Sequence, residues 1–225
     1  MRKILAIFLI TPLLICAQEK EKISLVNIGF SLLPEVNALI TDNPIGKEKS
    51  TARIGFSLGF NLEFKLSPKI FFKSGLGYGL KKYDHTHSNL VFGTDIGPNG
   101  IISMSKIESK ISFSELQLPL ILLFQVKDSK FFISTGMEVT YPISNNSERI
   151  IYYGNGSIDK LTGSNNYSTL NFAPQLGFGY NIPAGKKLNV GIEALIKYYI
   201  KEYIIAESHL YNYGVKATLN FDQLK

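Results

Sequence analysis

From Thr51 to Leu66 an apolar residue occupies every second position: Ala52, Ile54, Phe56, Leu58, Phe60, Leu62, Phe64 and Leu66. Between them stand Arg53, Gly55, Ser57, Gly59, Asn61, Glu63 and Lys65. Successive side chains of a β-strand point to opposite faces, so a period of two describes a strand with one apolar face and one polar or small face. Its length is the constraint. Strands of soluble domains usually run about five or six residues, whereas this pattern persists for sixteen, enough to cross a bilayer at a tilt.

The same signature returns along the chain and predicts strands at Ile23 to Leu33, Thr51 to Leu66, Ile70 to Tyr83, Ile111 to Val126, Phe131 to Ile143, Thr169 to Ile182, Leu188 to Ile200 and Ser208 to Phe221. The connections alternate in length. Pro34 to Ser50, Asp84 to Lys110 and Ser144 to Ser168 are long; Ser67 to Lys69, Lys127 to Lys130 and Pro183 to Lys187 are short; Lys201 to Glu207 is modest. Short turns on one rim and long loops on the other are the habit of an outer-membrane barrel, with the turns in the periplasm. The expectation is an all-β, transmembrane, antiparallel up-and-down β-barrel of eight strands, or ten should loop segments such as Ile150 to Tyr153 pair.

A soluble barrel would carry its apolar face inside, and the alternation by itself does not say which face is which. Three observations favour lipid outside. Phe64, Phe72, Phe124, Phe131 and Phe221 gather near the short turns, and Tyr78, Tyr141, Tyr198 and Tyr211 toward the long loops, as in the aromatic girdles at the two membrane interfaces. Glycines crowd the polar face, where a narrow lumen needs small residues beside large ones. Lastly, a bilayer core supplies a reason for such long strands, because every backbone amide within it must be paired. A lipocalin-like soluble barrel is the competing fold.

The mean hydropathy of +0.08 is too low for a helical bundle, and no stretch reaches the ~18 apolar residues of a spanning helix. At the start, Arg2 and Lys3 precede an uncharged, largely apolar run from Ile4 to Ile15, and Ala17 follows. This is the pattern of a cleaved secretory signal, so residues 1–17 are expected to be removed and residues 18–225 to form the barrel domain. Cleavage after Ala17 would remove Cys16, the chain's one cysteine, and with it disulfides and thiolate chemistry. Two of the 24 basic residues leave as well, and the remaining 22 against 18 acidic residues give a net +4, too little to suggest a nucleic-acid partner.

Glu115-Leu116-Gln117-Leu118-Pro119-Leu120-Ile121-Leu122, with the glycine-rich strands around Lys73 to Gly79 and Gln175 to Tyr180, resembles the PorT-like outer-membrane β-barrel family of Bacteroidetes. Leu-Pro within a strand is the most distinctive mark. The resemblance implies an outer-membrane location for nearly the whole mature chain, and a link to protein secretion, since some members serve the type IX secretion system. Pro119 and Pro174 would lie inside strands, where proline loses a ladder hydrogen bond, so both are expected at bulges or register breaks.

Candidate chemistry is sparse. Asp84-His85-Thr86-His87, with Asp95 beyond, offers two imidazoles on a loop, short of the three or four converging ligands of a metal site. Glu207, Ser208 and His209 have the residue types of an acyl-hydrolase set, but neighbours on a strand face opposite ways and cannot form its relay. No catalytic, cofactor-binding or metal-binding residue is assigned, and no cofactor. The expected inner face carries Arg53, Glu63, Lys65, Lys73, Lys81, Glu115, Glu138, Glu193, Lys197 and Lys216. Eight strands leave room only for side chains, so these charges predict a salt-bridged plug in preference to a selectivity filter. The turn Ser67-Pro68-Lys69 sets Glu63 opposite Lys73, predicting a direct or one-water salt bridge. The expected function is that of a non-enzymatic structural or partner-binding protein of the outer membrane. Its partners would be membrane lipid and a protein at the outer loops or periplasmic rim, with a narrow solute channel or a soluble ligand-binding barrel as alternatives and the oligomeric state left open.

Overall fold

A computed structural model describes residues 23–41, 47–88, 96–97, 100–101, 104–126, 129–163, 169–200 and 208–222. The signal segment 1–17, Asp95 and Glu207 lie outside these residues. Every described element is a strand: β1 (Ser24–Thr41), β2 (Lys47–Ser67), β3 (Ile70–Ser88), β4 (Ile96–Gly97), β5 (Gly100–Ile101), β6 (Met104–Gln125), β7 (Phe131–Tyr153), β8 (Ile158–Gly163), β9 (Asn171–Pro183), β10 (Leu188–Tyr198) and β11 (Ser208–Asp222). The sheet runs β6-β3-β2-β1-β11-β10-β9-β7-β8, and pairing of β6 with β7 closes it into an antiparallel ring. Eight strands make the ring: β1, β2, β3, β6, β7, β9, β10 and β11. Among the described residues β8 pairs only with the outer end of β7, at Ser147 to Tyr152, so the segment around Ile150 extends a hairpin and adds no staves.

The wall is inside out relative to a soluble protein. Phe30, Ile54, Leu58, Leu76, Leu116, Leu176, Phe178, Ile196 and Val215 point outward and are exposed, while Asn37, Lys81, Glu115, Thr140 and Asn212 are buried in the lumen. An exposed apolar belt of this extent suits only hydrocarbon. Its outer limit is marked by an ionic row in one register, with Asp84 opposite Lys110 and Lys110 opposite Glu148. The guanidinium of Arg53 bonds Asp84 at 2.8 Å on the same outward surface.

The strands are not of equal height. β2, β3, β6 and β7 have 21, 19, 22 and 23 residues, against 13, 11 and 15 for β9, β10 and β11. One side of the barrel, with β8 on its edge, therefore continues as a sheet beyond the ionic row, through segments expected as loops. The same applies to β1, which was expected to end at Leu33 and runs to Thr41. Pro34 does not stop it. Leu33 and Pro34 stay paired to β2, and only the ladder to β11 is interrupted, between Leu32 and Glu35, with the register kept.

Pro119 and Pro174 behave likewise, which corrects the expectation of bulges there. The β3–β6 ladder lapses between Lys73–Ile121 and Gly77–Gln117 without a shift, and the β9–β10 ladder ends at Gln175, the residue after Pro174. A missing N–H removes one bond on one side and leaves the other neighbour to hold the strand. One of the two register shifts of the β6–β7 pair sits instead beside Pro142, where Ser114 pairs Ser144 and Glu115 pairs Pro142. A second bulge, between Ala52 and Phe56 on β2, has larger consequences. It inserts one residue against β3, and because the side-chain period is two, every residue beyond it changes face. Arg53, expected in the lumen, is thereby turned outward to Asp84.

Candidate functional site

Inward side chains form three layers. At the periplasmic end Ile121, Leu123 and Phe132 pack with Phe71. At the outer end Leu39, Tyr83, Ile111, Phe113, Ala173, Tyr199 and Leu210 pack together, drawn from five ring strands and the residue after β10. Between these apolar caps lies a charged layer. The alternation suggested a polar inner face throughout; the caps arise where apolar residues stand on both faces, as in Ile70-Phe71-Phe72 and Ile121-Leu122-Leu123-Phe124. Such uninterrupted apolar runs were the available signal.

The charged layer is paired across the lumen. Lys81 binds Glu35, lies 3.5 Å from Glu115 and donates to Ser57 Oγ at 3.2 Å. Tyr199 Oη and Gln117 Nε2 donate to Glu115 Oε1 at 2.7 and 2.9 Å. Lys197 Nζ reaches both carboxylate oxygens of Glu138 at 2.9 Å. Glu193 pairs with Lys216 and takes a bond from Ser134. Each of these charges is thus matched in a place where an unmatched one would be costly. Glycine supplies the space: a Cβ on Gly177 would lie 2.5 Å from both Glu193 Oε1 and Ser134 Oγ, and one on Gly179 would strike the Phe132 ring at 2.2 Å. Among the described residues, Ser57, Asn61, Lys73, Gln117, Glu138 and Lys197 bound a cavity of about 40 Å³, enough for about one to three waters.

Glu63, Lys73, Lys81, Glu115, Glu138, Glu193 and Lys197 are buried as expected. Lys216 joins them through its ion pair, and Lys65 sits half-buried at the periplasmic rim opposite Ser24. Glu63 does face Lys73 in the predicted register. The expected direct bridge does not form among the described residues: Asn27 Nδ2 donates to Glu63 Oε1 at 3.0 Å instead. Glu35, central to the layer, was not anticipated because the strand was read as ending before Pro34. The alternation of Val36, Ala38 and Ile40 with Glu35, Asn37 and Leu39 continues past the proline and would have revealed it.

Above the outer cap is a second cluster. His85 and His87 share one face of β3, and the shift at the β2 bulge turns Glu48 toward them, opposite His87. Glu48 Oε1 lies 2.9 Å from His87 Nδ1, Glu48 Oε2 lies 3.7 Å from His85 Nε2, and the two rings meet edge to face with centroids 4.1 Å apart. Burial lowers the pKa of His85, the neighbouring His87 lowers it further and Glu48 opposes them. His209 is elsewhere, against the Tyr198 ring on the other side of the barrel.

The family model of the outer membrane protein beta-barrel domain matches residues 16–200, most of the chain. No curated protein matches it. Among solved structures the chain is similar to Ail, the attachment invasion locus protein of Yersinia pestis, at 9% identity and a TM-score of 0.40, covering 87% of this chain and 99% of that one. It is similar to Neisserial surface protein A at 11% identity and a TM-score of 0.40, covering 89% and 100%. It is also similar to the outer membrane protease OmpT from Escherichia coli at 10% identity and a TM-score of 0.36, covering 91% and 99%. The family-model match over residues 16–200, borne by a closed ring of strands with an apolar girdle, shows that the chain belongs to the outer membrane protein β-barrel family and resides in the outer membrane.

Proposed function

We propose that the protein is a non-enzymatic structural or partner-binding component of the outer membrane that works through its outer surface and passes no solute. The observation carrying this reading is the filled lumen, in which two apolar caps enclose a layer of ion pairs. A solute path would have to break those pairs and displace Tyr83 or Phe113 on the way. The surface left for a partner is the tall side, where β2, β3, β6, β7 and β8 stand clear of the ionic row that ends the lipid belt. Residues 1–17 fit this reading as an export signal that is cleaved. The resemblance of residues 115–122 to PorT-like proteins supports a partner within a protein-secretion machinery.

Pure protein in planar bilayers is expected to give no steady conductance steps, and crosslinking in native outer membrane from cysteines placed at exposed Lys160 or Ser157 should capture a defined protein partner. Reproducible unitary steps would favour the channel. Failure to crosslink any partner from either position would remove the interaction reading.

A further inference from the structure

We propose that Glu48, His85 and His87 form a binding site for a first-row divalent transition metal ion of the zinc class, at the outer mouth of the barrel above the lipid belt. One donor atom from each of the three residues falls within 4.8 Å of the others. Donors bound to tetrahedral zinc at ~2.0–2.1 Å stand roughly 3.3 Å apart, and the two carboxylate-to-imidazole separations, 2.9 and 3.7 Å, bracket that value. The donor set, two imidazoles and a carboxylate, suits zinc and its neighbours; calcium and magnesium prefer all-oxygen sites.

Burial gives the second argument. His85 is 1% exposed and, among the described residues, neither of its ring nitrogens has a hydrogen-bond partner. A neutral imidazole placed there leaves one N–H and one lone pair unsatisfied, which is costly, whereas coordination uses the lone pair directly. Glu48 brings an anionic oxygen donor to the same enclosed position, its side chain 7% exposed. His87 Nδ1 is aimed at the Glu48 carboxylate, 2.9 Å from Oε1. Ser50 and Ser109 flank His85 in the same row of the sheet, on β2 and β6. An ion held here fastens β2 to β3 beyond the bilayer.

Local sequence does not reveal this arrangement. Two histidines separated by one residue share a face of any strand, but Glu48 would point to the opposite surface had the alternation of β2 continued unbroken through Arg53. The bulge between Ala52 and Phe56 is what converts two ligands into three.

The test uses the full chain, folded in lipid vesicles, stripped with a chelator and titrated with zinc by calorimetry and with cobalt by visible absorption. One ion per chain is expected, with zinc raising the melting temperature because only the folded state has the site. His85→Ala, His87→Ala and Glu48→Gln should each weaken uptake at least 10- to 100-fold, the loss that even an outer-sphere change brings; His209→Ala should leave it unchanged. X-ray absorption on the unmutated protein, which does not depend on any variant folding, should find two imidazole nitrogens. Stoichiometric zinc uptake that survives Glu48→Gln and His87→Ala, fewer than two imidazoles at the ion, or no uptake at all would overturn the proposal.

Discussion

Replacing Lys81 by methionine tests the filled lumen directly. Methionine keeps the length and apolar stem of the side chain and removes only the ammonium group. Lys81, Glu35 and Glu115 are each wholly buried, so the change leaves two carboxylates facing one another without their common cation. Glu115 keeps its bonds from Tyr199 and Gln117, whereas Glu35 keeps the Ser57 hydroxyl at 3.1 Å. Breaking a buried pair from one side costs about 3–5 kcal/mol, which at ~1.4 kcal/mol per tenfold is roughly two to three and a half powers of ten in the folding equilibrium. Glu35→Gln added to Lys81→Met should recover a substantial part of the loss, because it removes the stranded charge, with a coupling of about 0.5–3 kcal/mol between the two sites. The measurement is urea unfolding in lipid vesicles, with the slope compared among variants so that a change in midpoint reports stability. A Lys81→Met protein within ~1 kcal/mol of the parent, the range of solvated surface pairs, would mean that water reaches these carboxylates. The filled lumen, and the argument against conduction, would then fail.

Leu58 points into the bilayer from mid-strand, and Leu58→Arg is expected to cost about 2–4 kcal/mol in the same unfolding assay; a neutral result would reverse the assignment of faces. Arg53→Ala should change stability by less than ~1 kcal/mol, since its pair with Asp84 is half-exposed at the interface; a loss above ~2 kcal/mol, of the size expected for a buried charge, would return Arg53 to the lumen. Gly177→Ala should cost about 1–3 kcal/mol by crowding Glu193 and Ser134, and no change in urea midpoint would show that the charged layer has slack. Glu138 and Lys197 should couple strongly in a double-mutant cycle, and Glu63 and Lys73 more weakly because Asn27 holds Glu63; equal coupling would contradict the contact pattern.

The wall of the barrel was legible from residue order. Alternation is a local consequence of strand geometry, so Phe56-Ser57-Leu58-Gly59-Phe60 shows two faces before any partner is known, and the turn at Ser67-Pro68-Lys69 is short enough to set Glu63 against Lys73. Aromatic placement then assigns the apolar face to lipid. Four residues mark where that logic stops. Pro34, Pro119 and Pro174 looked like interruptions when each strand was read alone, yet a strand held on both sides tolerates a lost bond on one. Arg53 was put on the wrong face because a one-residue insertion between Ala52 and Phe56 is a property of the β2–β3 pair and leaves no mark on β2 itself.

The interior belongs to the tertiary structure for a related reason. Glu35 meets Lys81 46 residues later, Glu138 meets Lys197 across 59, and Glu115 meets Tyr199 across 84. Strands that are not neighbours in the ring bring these groups together, and only closure of the ring, through β1 with β11 and β6 with β7, decides which charges share a height in the lumen. The Glu48, His85 and His87 cluster needs both the bulge and the extension of β2 and β3 above the membrane. A period of two determines which side of a strand a residue occupies; register, insertion and closure determine what it meets there, and those depend on backbone pairing between segments far apart in the chain.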